Sequence, residues 1–400
     1  MAAVESLDVE PLDSFRAEVR DWLADNFDPA LKGRHAPLGM VDGPTDMTPD
    51  MVAWRAALGK RGFGTPSWAK EYGGAGLSAK EIAVLDEEMR KVGAYNPIGG
   101  LAVGMFAPTL MEYGTEEQKL KWLPPLSNGS SRGCQGYSEP GAGSDLANVQ
   151  SFAEDKGDHY LINGQKTWQS GGQWADFCFG LFRTDKSHKH DGITFIMVDM
   201  NSPGVERRPI KMISGASPFC ETFFTDVKVP KENRVGEEGK GWTIGKRLLQ
   251  FERAGIGGGG ARGMMRSLAD HAKQYVEVND NGEIADQDLR QKIIKHEMAV
   301  RNFMGTVGRA QREARAQGGP SATSSVLKNV GAKLAQERTD LMVEVMGMQG
   351  LGWEGEGFNA DELKTTRTWL WNRAVTVYGG STEIQNNIIS KRVLGMLDHQ

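Results

Sequence analysis

The sequence predicts an α+β fold in three successive parts: a helical N-terminal domain, a small middle β-domain, and a C-terminal domain built like a four-helix bundle. Three observations predict it. Apolar residues recur at helical spacing from the start of the chain to about Leu126. From about Gly133 to Val235 the pattern changes to short runs of aromatic and β-branched residues separated by turn formers. From Trp242 onward, long helical periodicities return. The domains expected on this basis are residues 1–131, 132–236 and 237–400.

In the first part, Phe15, Val19, Trp22 and Leu23 share one helical face, as do Ile82, Leu85 and Met89. Ser78-Ala-Lys-Glu81 and Thr115-Glu-Glu-Gln118 read as capping boxes, in which a hydroxyl and a carboxylate or amide three residues on satisfy each other's backbone N–H groups. Pro124-Pro125 is expected to stop the helix that Thr115 starts. In the second part, Phe177–Phe182, Ile193–Val198 and Thr222–Val229 read as strands. Asn163-Gly164 reads as a tight turn, because both residues tolerate positive φ. His188-Lys189-His190-Asp191 lies between two strands in a charged stretch and reads as a solvated hairpin tip rather than a metal site. In the third part, Leu289–Arg315 and Val326–Met346 read as long helices.

Bulk properties narrow the function classes. A chain of 400 residues can form two or three cores. A net charge of −5 without a Lys/Arg block argues against a nucleic-acid surface. Cys134, Cys178 and Cys220 are scattered and odd in number, so neither a disulfide framework nor a metal cluster is expected. Met1 to Glu10 is mildly acidic and lacks the basic-then-apolar pattern of a signal peptide. No apolar run approaches the roughly 18 residues a membrane span needs. A soluble protein of a reducing, cytoplasmic compartment is expected. Its 51 glycines cluster at particular places rather than forming low-complexity tracts.

Two of those places carry chemistry. Gly136-Tyr137-Ser138-Glu139-Pro140-Gly141-Ala142-Gly143-Ser144-Asp145 is a loop in which proline fixes one dihedral and the glycines free the rest, leaving amides and hydroxyls to face a ligand. Ile162-Asn163-Gly164-Gln165-Lys166-Thr167-Trp168-Gln169-Ser170 follows, and strand alternation would put Trp168 and Ser170 on one face. Together and in this order, the two segments resemble the flavin site of the acyl-CoA dehydrogenase family. The likeness runs from the first helix to Tyr378-Gly379-Gly380-Ser381-Thr382-Glu383-Ile384-Gln385.

That resemblance implies the same three-part architecture, with FAD held between the β-domain and the C-terminal helices. It implies dehydrogenation of an acyl-CoA thioester to a trans-2-enoyl-CoA within β-oxidation-type lipid metabolism, with electrons passing to an electron-transfer flavoprotein. Two other classes share the fold: a flavin oxidase of the acyl-CoA or nitroalkane type, and a flavin-supporting subunit of a heteromeric dehydrogenase. Retention of Glu252, Ser138 and Trp168 counts against the non-catalytic class.

The reaction needs a base for the α-proton, a hydride acceptor at the β-carbon, and donors that polarise the thioester carbonyl. The family carries its base at one of two places. At the commoner one, directly after the Tyr of the C-terminal motif, this chain has Gly379. At the other, Leu249-Gln250-Phe251-Glu252-Arg253-Ala254 puts Glu252 where branched-chain and long-chain members carry theirs. The resemblance then implies that Arg253 favours the ionised base and that the Gly379 N–H bonds the thioester oxygen. It further implies that Tyr137 and Ser138 meet the flavin ring through backbone and hydroxyl donors, that Trp168 packs against the ring, and that Ser170 bonds near N5. Ser144 matches a position near the CoA pantetheine, and Ser381 one near the adenosine end of the cofactor.

The resemblance breaks at one place. In homotetrameric members a neighbouring subunit holds the FAD pyrophosphate through an Arg-x-x-Phe-Gly segment and a later Gln with a Gly-Gly pair. Here the first segment reads Val276-Glu277-Val278-Asn279-Asp280-Asn281-Gly282-Glu283, and in the second Glu344 replaces the Gln and Met348 a Gly. A carboxylate repels a diphosphate and a Met side chain blocks close backbone approach. Two assemblies remain open: an α2β2 heterotetramer with a related chain, in which this is the base-bearing partner, or a homotetramer with a rebuilt pyrophosphate contact. Small residues at Gly99-Gly100-Leu101-Ala102-Val103-Gly104 and Gly257-Gly258-Gly259-Gly260 predict a wide acyl cavity and a bulky or ring-bearing acyl group; close helix packing, or a helix broken at the glycines, would also account for them.

Overall fold

A computed structural model of the protein describes residues 9–32, 47–264, 267–317 and 323–397. They form two compact units. The first comprises residues up to Ile210 together with Ser217–Leu248, and the second Lys211–Ala216 with Leu249–Gln400.

The first unit opens with helices α1 (Val9–Asn26), α2 (Pro49–Arg61) and α3 (Ala79–Val92). Their apolar faces bury Val19, Leu23, Trp54, Leu58 and Leu85 in one core, where Trp22 and Phe27 pack 5.4 and 5.0 Å from Trp54. Both halves of the Ser78/Glu81 capping box form, and α3 ends on Gly93 in the left-handed conformation. A π-helical turn, Ala102–Phe106, leads into α4 (Ala107–Tyr113), and α5 (Glu116–Ser127) starts from the complete Thr115/Gln118 box. The Pro124-Pro125 pair does not stop α5, which runs on to Ser127. The carbonyls deprived of their donors belong to Leu120 and Lys121, exposed residues that water can serve.

Eight strands follow: β1 (Gly133–Gly136), β2 (Phe152–Asp155), β3 (His159–Ser170), β4 (Phe177–Arg183), β5 (Ile193–Asp199), β6 (Val205–Ile210), β7 (Phe219–Pro230) and β8 (Arg234–Val235). The sheet order is β6-β7-β3-β2-β4-β5-β8, with β1 pairing parallel to β4. Every residue of β4 is buried, which explains its unbroken apolar reading. Phe106 lies 5.2 Å from Phe177 and 5.1 Å from Phe179, and the Gln118 amide donates to the Glu232 and Arg234 carbonyls at 2.7 Å. The N-terminal helices are thereby fastened to the sheet.

The Asn163-Gly164 pair is not a turn. It lies inside the continuous strand β3, at a register shift between Ile162 and Gly164 against β7. Gly164 has φ 149°, and a Cβ there would meet Ser151 Cα at 2.6 Å. The Asn163 side chain is tied to Asp226, accepting its N–H and donating to its carboxylate, both at 2.9 Å. The backbone freedom of the dipeptide serves a β-bulge rather than a hairpin.

Helix α6 (Gly241–Met264) runs unbroken through Gly257–Gly260, whose surroundings lie outside the described residues, as does the side chain of Arg253. The second unit continues with α7 (Leu268–Ala272), α8 (Gln287–Gln317), α9 (Thr323–Met346), α10 (Ala360–Trp371) and α11 (Thr382–Ile388). Val300, Phe303, Val307, Leu327 and Leu334 form one core between α8 and α9. Leu268, Ile284, Ile293, Leu341 and Val345 form another.

Candidate active site

In the first unit, the loop after β1 and the end of β3 are held together. The Thr167 N–H donates to the Ser138 carbonyl at 2.9 Å, and Glu139 and Ala142 exchange two backbone bonds at 3.0 Å across the loop. Beneath them Lys166 is wholly buried, with Nζ 2.7 Å from Glu139 Oε1, 2.6 Å from the Leu181 carbonyl and 3.3 Å from the Tyr137 carbonyl. Glu139 also accepts the Gln150 and Ser151 N–H groups at 2.6 and 3.0 Å. Burial works to raise the Glu139 pKa, but the Lys166 charge and these bonds outweigh it and hold the carboxyl below its ordinary value. Burial likewise draws Lys166 below its ordinary value, opposed by Glu139. With the carboxylate so fully bonded, the proton stays on the lysine.

Trp168 stands out. It is 54% exposed, and its backbone is left-handed at φ 60° near the end of a strand. Such a conformation costs a residue with a Cβ roughly 1–2 kcal/mol. The register against β7 shifts between Lys166 and Gln169, so simple alternation does not govern this stretch. Trp168 instead reaches Phe219 edge-on at 6.0 Å, and Phe219 is the direct cross-strand partner of Ser170. Directly paired residues share a face, so Ser170 lies on the same face of the sheet as the Phe219 ring that Trp168 meets.

The other loop residues divide. The Tyr137 side chain is buried, 6.5 Å from the Phe195 ring, and its carbonyl is turned inward to Lys166. Ser138 is half-buried, and its N–H finds no acceptor among the described residues. Ser144 is exposed further along the loop. An exposed, strained indole beside outward N–H and hydroxyl donors fits a flavin ring, which offers a broad aromatic face with carbonyl and ring-nitrogen acceptors at its edge.

The helical residues lie in the second unit. Glu252 is half-buried on α6. Lys328 on α9 is 6% exposed, and burial lowers its pKa against the opposing fields of Glu252 and Glu383. Gly379 and Gly380 are both left-handed, at φ 65° and 85°. The Gln385 amide donates to the Gly379 carbonyl at 3.0 Å. Ser381 caps α11, its Oγ accepting the Ile384 N–H at 3.4 Å. The segments that depart from the family pattern are internally paired: Arg290 meets Glu283 at 2.7 Å and Lys292 meets Glu344 at 2.6 Å, while Met348 is 78% exposed.

His188 pairs with Asp185 at 2.8 Å on an exposed turn between β4 and β5, and no group of three potential metal ligands occurs among the described residues. Sequence reasoning passed over Lys166, Glu139 and Lys328. A signal existed for Glu139 alone: a glutamate sits inside the glycine-rich loop.

Comparison with known proteins bears on the whole chain. The acyl-CoA dehydrogenase N-terminal, middle and C-terminal domain profiles match residues 10–130, 134–227 and 239–394. Acyl-CoA dehydrogenase IpdE1 of Mycolicibacterium smegmatis is 36% identical over 396 residues, covering 96% of this chain and 97% of its own. Among solved structures, the ChsE4-ChsE5 complex from Mycobacterium tuberculosis is similar with a TM-score of 0.74 at 30% identity, covering 98% of both chains. The Tcur3481-Tcur3483 steroid ACAD is similar with a TM-score of 0.77 at 28% identity, covering 97% of this chain and 98% of that one. With all three domains matched in order and a relative aligned along nearly its full length, the chain belongs to the acyl-CoA dehydrogenase family, whose members are FAD-dependent oxidoreductases.

Proposed function

We propose that this chain is the base-bearing subunit of an acyl-CoA dehydrogenase acting on a bulky acyl thioester, with Glu252 as the base. The observation that carries the reading is the pairing of positions 252 and 379. Glu252 is half-buried on α6, its field reaching the buried Lys328 ammonium. Gly379, at the alternative base position, has φ 65°, a conformation a glutamate would adopt only at a cost.

FAD, when bound, supplies the acceptor for the β-hydride. Glu252 takes the α-proton, and a neighbouring ammonium favours its ionised form at neutral pH. The Gly379 N–H donates to the thioester carbonyl oxygen, stabilising the charge that develops as the α-proton leaves. Tyr137 and Ser138 would hold the cofactor through the loop backbone, with Trp168 against its ring and Ser170 offering a hydroxyl. Ser144 lies toward the CoA arm and Ser381 toward the adenosine end. An electron-transfer flavoprotein takes the electrons onward.

Glu252→Gln should keep FAD and substrate binding yet lower the rate of flavin reduction by acyl-CoA ~10²–10⁴-fold, the usual contribution of a general base. A variant retaining more than about a tenth of that rate would overturn the assignment.

Two observations support a related but different partner chain. Glu344 is engaged by Lys292 rather than replaced by a phosphate-binding group, and Met348 projects into solvent where a glycine would permit close approach. The similar ChsE4-ChsE5 structure is, as named, a complex of two chains. Expressed alone, the protein should carry little FAD; co-expressed with its partner it should be yellow and tetrameric. Full FAD occupancy in a homotetramer would rule this out.

A further inference from the structure

The buried Lys166–Glu139 pair has a geometry that a purely structural ion pair does not require. Three acceptors surround the ammonium, one for each N–H: Glu139 Oε1, the Leu181 carbonyl and the Tyr137 carbonyl. Two are core groups. The third belongs to the peptide joining Tyr137 to Ser138. No cis peptide occurs among the described residues, so that peptide is trans and its C=O and N–H point in opposite directions. Drawing the carbonyl inward to the ammonium turns the Ser138 N–H outward. The next peptide is fixed independently, because the Ser138 carbonyl accepts the Thr167 N–H at 2.9 Å. The Ser138 N–H, with no acceptor among the described residues, is thus aimed by two bonds made elsewhere.

The residue behind the ammonium matters as well. Thr167 and the strained Trp168 follow Lys166 directly, so one buried side chain holds both the loop and the strand end. A buried ion pair is weak evidence for stability, since an apolar pair of similar volume is often as stable or more so. A positive charge at the inner end of a peptide dipole whose N–H end faces outward favours electron density gathering at the outer side.

We propose that Lys166 is a positioning residue of the cofactor site: its buried ammonium orients and polarises the Tyr137–Ser138 peptide so that the Ser138 N–H faces the flavin ring, which tightens FAD binding and favours the reduced cofactor. The proposal rests on the reading that this loop and Trp168 border the flavin.

The test uses the protein with whatever partner it requires for FAD binding, and three variants. Lys166→Met/Glu139→Gln removes both charges and so leaves no unpaired buried carboxylate. Glu139→Gln keeps the lysine on the Tyr137 carbonyl while removing the carboxylate that opposes its loss of charge. Trp168→Ala tests the flavin reading itself. FAD affinity is measured by fluorescence quenching on titration of the apoprotein, the reduction potential by equilibration with a reference dye, and folding by far-UV circular dichroism.

The double variant should fold, bind FAD at least about tenfold more weakly, and bind the reduced form relatively worse by a further ~10-fold, a drop of about 30 mV for a two-electron couple. Glu139→Gln should shift the potential, upward where the lysine keeps its unneutralised charge and downward where burial removes it. A merely structural pair predicts that both variants lose affinity together and that neither moves the potential. A folded double variant with an affinity within twofold of the parent's and a potential within about 10 mV of it would overturn the proposal. If the double variant does not fold, Glu139→Gln decides: a potential shifted by about 10 mV or more supports the proposal, and one unchanged from the parent overturns it. Failure of the underlying reading is separate, and would appear as a flavin spectrum and occupancy indifferent to Trp168→Ala.

Discussion

Replacing Trp168 tests whether its backbone is held under strain for the sake of the site. At φ 60°, any residue with a Cβ costs roughly 1–2 kcal/mol relative to the right-handed side, whereas glycine does not. Glycine in an ordinary strand costs about 0.5–1 kcal/mol against alanine through its greater freedom in the unfolded chain. Setting one against the other, Trp168→Gly should be more stable than Trp168→Ala by about 0.5–1 kcal/mol, the reverse of the order expected at a regular strand position. Both lose the edge-on contact with Phe219, worth about 0.5–1.5 kcal/mol, so that loss cancels from the comparison. Urea denaturation of the two apoproteins, followed at one wavelength and fitted with a common slope, measures the difference. Both variants should also hold FAD more weakly and alter its absorbance band. If alanine is the more stable by about 0.5 kcal/mol or more, the left-handed conformation and the strain argument are wrong together.

Glu88 offers a pH test. It is 3% exposed and bonded to Arg20 at 2.9 Å and Lys91 at 2.8 Å, with Arg16 also in contact. Burial raises its pKa, but the three cations reverse this and bring it from 4.5 to about 2. At ~1.36 kcal/mol per pH unit that gap is worth about 3.4 kcal/mol, and the exposure of Arg20 and Lys91 reduces it to about 2. A carboxyl whose pKa is depressed by folding stabilises above its unfolded value and loses that contribution as pH falls through the folded value. The stability difference between the parent and Glu88→Gln should therefore be flat above about pH 5 and shrink between pH 4.5 and about 2; a difference that grows on acidification would refute the pairing. For substrate size, a Cβ built on Gly99, Gly100 or Gly104 meets nothing within 4 Å, and the adjoining Ala102–Phe106 turn is π-helical, a widening frequent at functional sites. Branched or polycyclic acyl-CoA thioesters should give a higher kcat/KM than butyryl-CoA; a clear preference for butyryl-CoA would sink the wide-cavity reading and leave the dehydrogenase assignment intact.

Features governed by near neighbours along the chain are legible in the sequence itself. The capping boxes at Ser78 and Thr115 join a side chain to a backbone N–H three residues away, and both form as expected. The long periodicities of α8 and α9 and the unbroken apolar run of β4 are equally legible, because helical and strand phases repeat over a few residues. The order helix, strand, helix follows from the same local signals. Where an outcome depends on distant partners, local preference leaves it undecided. Asn163-Gly164 prefers positive φ in a turn or a bulge alike, and the bulge is selected by Ser151 and Asp226, the latter 63 residues along the chain. The proline pair ends no helix, because the carbonyls it leaves unpaired lie on exposed residues. Lys166 reads as one more charge in a polar strand until folding brings it to Glu139, 27 residues away, and withdraws both from water. The left-handed backbone of Trp168 has no mark in the sequence at all. A strained dihedral is paid for by surrounding contacts, here the Thr167–Ser138 bond and the pairing with β7, and those contacts exist only once the chain is packed.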